Sequence, residues 1–152
     1  MENLTLLIPA KFESESLPSV LTELKKFNYK ISVILKETDL TTINSIKDFN
    51  IEVIYQKGDG YGNALIEGIN NCKTKYFCIF NADGSFNPNE ISEIMKKINI
   101  NKKDFIFASR YEKKGGSEDD TFVTLIGNYF FSFIGKIFFK LKISDILYTF
   151  VV

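Results

Sequence analysis

Five short apolar runs, separated by segments of helical period, constrain this chain more than any other feature. Residues 4–8, 31–35, 51–55, 76–80 and 105–108 are each about five residues long and rich in β-branched or aromatic side chains, the pattern of strands. Most are apolar on both faces, as strands are when helices cover both sides of a parallel sheet. Between the first two runs, Leu17, Val20, Leu21, Leu24 and Phe27 recur at helical spacing, with Pro18 tolerable only in a first turn. Ile91, Ile94, Met95 and Ile98 repeat that spacing after Asn87, Pro88 and Glu90, read as N-cap, first and third helical positions. Weaker helical patterns cover 41–48 and 63–72. The order β-α-β-α-β-α-β-α-β implies an α/β fold with a right-handed, mostly parallel sheet. With 152 residues, one such domain is expected.

On parallel sheets of this kind, ligands bind at the carboxyl ends of the strands. Those ends hold the unusual residues. The first run leads into Pro9-Ala10-Lys11-Phe12-Glu13, the second into Lys36-Glu37-Thr38-Asp39, the fourth into Asn81-Ala82-Asp83-Gly84 and the fifth into Ser109-Arg110-Tyr111. Arg110 is the single arginine, and its planar fork of donors suits phosphate, although an ordinary surface arginine is the simpler reading. Asn81 and Asp83, two apart on extended backbone, point to the same side and could share a hard cation such as Mg²⁺ or Mn²⁺. The alternative is a plain Asx turn at Asp83-Gly84. Gly58-Asp59-Gly60-Tyr61-Gly62-Asn63-Ala64 permits close approach of backbone to a ligand, or is only a glycine-rich turn. It is not a dinucleotide fingerprint, which needs glycine at position 63 and a place after the first strand.

Composition excludes several functions. There is no histidine, and Cys72 and Cys78 are the only cysteines, so the usual zinc sites and every Ser-His or Cys-His catalytic pair are absent; two packed thiols are expected. Nineteen basic and nineteen acidic residues cancel, leaving no global field to draw the chain onto nucleic acid, so any anion site must be local. The N-terminus lacks a basic segment and breaks at Pro9, unlike a signal peptide, and a cytoplasmic location is expected. Residues 122–141 carry six phenylalanines with Lys136 and Lys140, and Lys142 follows. Glycine, asparagine and lysine inside this stretch argue against a membrane span; it reads as an interfacial helix, a helix buried in a partner, or a core helix.

Together these residues resemble the family 2 glycosyltransferases of GT-A fold, and among them the polyprenyl-phosphate sugar transferases similar to dolichyl-phosphate mannose synthase. Ile8-Pro9-Ala10-Lys11-Phe12-Glu13 resembles the family's Ile-Pro-Ala-Tyr-Asn-Glu, and 58–64 its Gly-Lys-Gly-x-Gly-x-Ala. Asn81-Ala82-Asp83 stands at the Asp-x-Asp position, with Asn87-Pro88 at the helix start after it. Ser109-Arg110-Tyr111 with Gly115-Gly116, and Ser144-Asp145, resemble two further family segments.

The resemblance implies a Rossmann-like three-layer α/β/α core at 1–121 that binds a UDP- or GDP-linked sugar, and an acceptor-side region beginning at 122–152. It implies transfer with inversion, assisted by Mg²⁺ or Mn²⁺, to an acceptor such as a polyprenyl phosphate at the inner membrane face. By the same resemblance Asp83, Arg110 and Asp145 form the catalytic set. Pro9, Ala10, Glu13, Glu37, Asp39, Gly60, Asn81 and Ala82 bind the donor, and Asn81 and Asp83 hold the metal. Ala10 and Glu13 would flank the nucleoside, Glu37 or Asp39 would hold base or ribose, and Arg110 a phosphate. Three departures stand out: Asn81 replaces an aspartate, Lys36-Glu37-Thr38-Asp39 replaces Asp-Asp-Gly-Ser, and Asp59 replaces a lysine. Because family members continue beyond Ser-Asp, a truncated chain is expected, and a remnant that binds a nucleotide sugar, a membrane or a partner without turnover is the alternative function.

Overall fold

Hydrophobic alternation on both faces of the strands builds the centre of the molecule. The structure, a computed structural model, describes residues 3–111 and 122–152. Strands β1 (Leu4–Pro9), β2 (Lys30–Leu35), β3 (Glu52–Tyr55) and β4 (Tyr76–Ile79) form a parallel sheet in the order β3-β2-β1-β4. The chain winds outward from β1 through β2 to β3, then crosses back to place β4 on the other side of β1. The reversal beside β1 is the switch point at which such sheets leave a crevice.

Helices α1 (Leu17–Leu24), α2 (Leu40–Ile46), α3 (Tyr61–Asn71) and α4 (Asn89–Asn101) connect the strands, with a 3-10 turn at Lys25–Phe27 after α1. Leu4, Leu6 and Ile8 of β1 point into one core with Leu17, Leu21 and Leu24 of α1 and Ile91 and Ile98 of α4. Leu7 and Ile34 point the other way, onto Ala64 of α3. Gly68 lets α3 lie close: a Cβ there would stand 3.0 Å from Ile34 Cδ1. The result is three layers, as the doubly apolar strands require. Helix α4 begins one residue later than its sequence suggests, yet Asn87 still serves its first turn, accepting the Asn89 N–H through Oδ1 at 3.0 Å. Both cysteines are free thiols; Cys78 is fully buried, which pushes its pKa up, and Cys72 is half-buried.

The fifth apolar run does not pair with β4. Residues 150–152 lie between them, with Val151 bridging Ile79 on one side and Phe107 on the other, both antiparallel. The Ile79 N–H donates to the Val151 carbonyl at 3.0 Å, and Ile106 and Ala108 donate to Val152 and Phe150 at 2.9 Å each. The 105–108 segment therefore runs parallel to β4, one strand removed. Phe150, fully buried, stacks on Phe86 at 4.7 Å between ring centres. The last residues thus share the sheet of the first part of the chain.

Helix α5 (Phe122–Phe139) follows the 112–121 segment, which holds Lys113-Lys114, Gly115-Gly116 and the acids Glu118, Asp119 and Asp120 and lies outside the described residues. Among the described residues, no helix is long and apolar enough to cross a membrane.

Candidate functional site

Where the four strands end, their loops enclose a cleft of about 700 Å³. Pro9, Ala10 and Glu13 line it from β1, Asp39 from β2, Gly60 from the β3–α3 loop, and Asn81, Ala82 and Asp83 from β4. Lys11, Phe12, Lys36, Thr38, Gln56, Asp59, Tyr61 and Ala64 complete the wall. Eight of the residues singled out from the sequence therefore share one concavity; Glu37, exposed beside it, and Arg110 and Asp145 are not in its wall.

Asp39 holds the β1 side of the cleft together. It is buried, and both oxygens are engaged: Oδ2 accepts the Phe12 N–H at 2.7 Å, and Oδ1 accepts the Thr41 hydroxyl at 3.0 Å and the Thr42 N–H at 3.2 Å, capping α2. Burial alone would raise its pKa, but the hydrogen bonds from Phe12, Thr42 and Thr41 outweigh it and hold the carboxyl below the usual range. Phe12 sits at φ 59°, a left-handed conformation costly for a bulky side chain, and its ring is exposed at the cleft. Next to it, the Glu13 N–H donates to the Thr42 hydroxyl at 3.0 Å. The carboxylate that the sequence offered for base or ribose thus also fixes the backbone of the loop that carries Ala10 and Glu13.

Across the cleft, Gly60 at φ 85° turns the chain into α3. Asn63 Oδ1 accepts the Gly58 N–H at 2.9 Å, and the Gln56 amide donates to the Gly58 carbonyl at 2.9 Å. Asp59 pairs with Lys36 at 2.9 Å, and this lysine lowers the Asp59 pKa first by its hydrogen bond and then by its charge. The Asp59 side chain is almost fully exposed, so this is a weak surface pair, but it joins the β2 and β3 rims. Lys11 and Lys36, named in the strand-end loops, were given no role from the sequence, and Gln56 was not named. The available signal was position, since each follows a strand end by one or two residues.

After β4, the Asx turn is present: Asp83 Oδ1 accepts the Ser85 N–H at 2.9 Å, with Gly84 at φ 81°. The Asn81 amide donates to the Ser85 hydroxyl at 3.0 Å, which leaves its carbonyl oxygen as the group offered elsewhere. Asp83 itself is exposed and Ala82 buried. Among the described residues, no three His, Cys, Asp or Glu side chains gather around a possible ion position. The donor set here is two hard oxygens, one of them charged. It fits an ion such as Mg²⁺ that takes one or two protein ligands and completes its shell with water and a phosphate-bearing substrate.

Arg110 leaves the 105–108 segment on the same edge of the sheet as Asp83, because Ile79 and Phe107 face Val151 at one level. At ordinary strand spacing that puts its backbone roughly 10 Å sideways from β4. Its guanidinium grips Asp145 with two prongs, Nε to Oδ2 at 2.9 Å and Nη2 to Oδ1 at 3.0 Å, and its own N–H reaches Oδ2 at 3.1 Å. Asp145 is fully buried. The Ser144 hydroxyl donates to that of Ser109 at 2.9 Å, fastening the two segments again. Arg110 also lies over the Tyr148 ring at 5.2 Å, and Tyr148 packs edge-on against Phe86, three residues beyond Asp83.

The family model described as "Glycosyl transferase family 2" matches residues 5–151. The chain belongs to glycosyl transferase family 2. Its α/β sheet with flanking helices is the Rossmann-like architecture of the family's GT-A fold. The family 2 chain is also similar to "Uncharacterized protein MJ1222" of Methanocaldococcus jannaschii, 27% identical over 138 residues that make up 88% of this chain and 57% of that protein. It therefore spans little more than half the length of that relative.

Proposed function

We propose that this family 2 domain binds a UDP- or GDP-linked sugar in the strand-end cleft and transfers the sugar, with inversion, to an acceptor such as a polyprenyl phosphate on the cytoplasmic side of a membrane. The observation that carries this reading is the single cleft that joins Pro9, Ala10, Glu13, Gly60, Asn81 and Asp83 at the switch point of the sheet. Ala10 and Glu13 flank the nucleoside, on a loop fixed by Asp39. Gly60 and the turn around it admit the donor close to backbone, and Glu37 meets its outer edge. Asp83 and the Asn81 carbonyl are the groups that would hold Mg²⁺ or Mn²⁺ for the donor's diphosphate. When bound, the ion neutralises charge that develops on the departing nucleoside diphosphate.

Arg110 adds a fixed positive charge on the same edge, placed to meet a donor or acceptor phosphate. Asp145 acts through it by fixing the fork, so its part is positioning rather than proton transfer. A phosphate acceptor is already ionised and needs no base, consistent with a chain that has no histidine. A second reading, donor binding without turnover, is favoured by Asn81, which puts an amide where a second carboxylate would strengthen the ion site.

Calorimetric titration with UDP- and GDP-sugars, with and without Mn²⁺, tests the site on the native chain and on Asp83→Ala. Binding should require the metal and vanish in the variant; binding indifferent to both would remove the proposed site. Turnover with a polyprenyl phosphate then separates enzyme from binder.

A further inference from the structure

Helix α5 is packed inside out. The stripe it buries is polar and small: Asn128, Ser132 and Gly135. Asn128 Oδ1 accepts the Leu147 N–H at 3.1 Å and the Ser132 hydroxyl accepts the Ile146 N–H at 3.3 Å. A Cβ on Gly135 would stand 3.0 Å from Ile146 Cδ1, so the 141–147 segment lies close against the helix. These contacts fix which side faces in. At 3.6 residues per turn, Ile126, Tyr129, Phe130, Phe133 and Ile137 fall on the far side within an arc of about 100°, and each is more than half exposed. Phe138 and Phe139 add exposures of 75% and 71% at the C-terminal end. A continuous apolar surface of this kind marks an interaction site rather than ordinary solvent-facing helix.

Charge decides what covers it. No acid occurs from residue 122 to 144, whereas Lys136, Lys140 and Lys142 line one concavity of about 520 Å³ with Ser144 at the end of α5. Among the described residues none of these lysines is in an ion pair. The acid nearest in sequence, Asp145, is fully buried and held by Arg110. Aromatic side chains flanked by lysines on a helix too short and too interrupted to span are the combination that lies in a bilayer interface. Lysine stems of that length follow apolar surface while their ammonium groups reach phosphate.

We propose that the outer face of α5 docks on an anionic lipid bilayer, with Phe130, Phe133 and Ile137 entering the acyl boundary and Lys136, Lys140 and Lys142 meeting lipid phosphates. This rests on the packing of α5 and not on the reading of the donor cleft.

Flotation of the full chain with vesicles of phosphatidylcholine alone, or mixed with phosphatidylglycerol, tests it. The chain should float with the mixed vesicles and much less with the neutral ones, and added salt should release it. Replacing Lys136 and Lys140 by Glu should weaken partition by at least about fivefold per lysine, and Phe133→Glu by roughly tenfold or more. Far-UV circular dichroism and the urea midpoint should stay as in the native chain, since these side chains are exposed. No flotation, equal flotation with both vesicle types, or flotation untouched by the variants would overturn the proposal. So would a dimer in solution that Phe133→Glu dissolves while vesicles are ignored. Donor titration without vesicles reads only the cleft, so the two readings fail separately.

Discussion

Replacing Asp39 tests whether the cleft is held by the backbone hydrogen bonds of one buried carboxylate. Asp39→Ala removes the cap on the Thr42 N–H, worth about 1 kcal/mol, and leaves the Phe12 N–H without its 2.7 Å acceptor. An N–H so orphaned costs about 1–3 kcal/mol, for a combined loss of about 2–4 kcal/mol. Part of this is recovered if the 10–13 loop relaxes, because Phe12 no longer needs its left-handed backbone. That relaxation carries Ala10 and Glu13 away from the cleft. Donor affinity should therefore fall through the loop, beyond any direct contact that Asp39 makes with the donor. Asp39→Asn keeps an acceptor for the cap but turns an amide on Phe12 or loses the charge, and should fall between native and Ala.

The pH dependence has a definite sign. The folded carboxyl has a pKa below its unfolded value, so its contribution is full above about pH 3.9 and fades as pH falls through the folded value. The stability difference between native chain and Asp39→Asn, measured by urea unfolding, should be constant near neutrality and shrink below about pH 4. A loss under about 0.5 kcal/mol in Asp39→Ala, with donor affinity unchanged, would refute the reasoning.

Other substitutions probe the remaining contacts. Asp145→Ala removes the two-pronged ion pair of a partly buried guanidinium and should cost about 2–4 kcal/mol in urea unfolding, somewhat below the figure for a fully buried pair, against little change for Glu37→Ala on the exposed rim. Asn81→Asp supplies a second carboxylate beside Asp83 and should tighten Mn²⁺-dependent donor binding several-fold by calorimetry; weaker binding would place the ion elsewhere. Asp59→Asn frees Lys36 from its 2.9 Å partner and removes a negative charge from the cleft rim, so nucleoside diphosphate should bind more tightly at low salt, with the gain vanishing at high salt.

Local periodicity was enough to place β1 to β4 and α1 to α4, because each strand or helix face must be apolar wherever it meets the core, and that requirement is written in consecutive residues. The same logic put the loops after Ile8, Leu35, Phe80 and Ala108 on one edge, so most of the cleft wall could be read from the chain alone. Contacts between distant segments could not. Nothing in the local sequence shows that Asp39 also accepts the Phe12 N–H across 27 residues, or that Arg110 is gripped by Asp145 across 35. The run at 105–108 was legible as extended, but only the assembled sheet shows residues 150–152 lying between it and β4.

Helix α5 shows the limit most clearly. Its residues are apolar nearly all round, so hydrophobic pattern selects no inward face. The decision fell to two side chains, Asn128 and Ser132, whose hydrogen bonds could be made only against the backbone at Leu147 and Ile146. Sequence determines what each segment can bury; the tertiary structure determines which polar groups find partners, because a hydrogen bond depends on distance and direction between groups that the chain order does not relate.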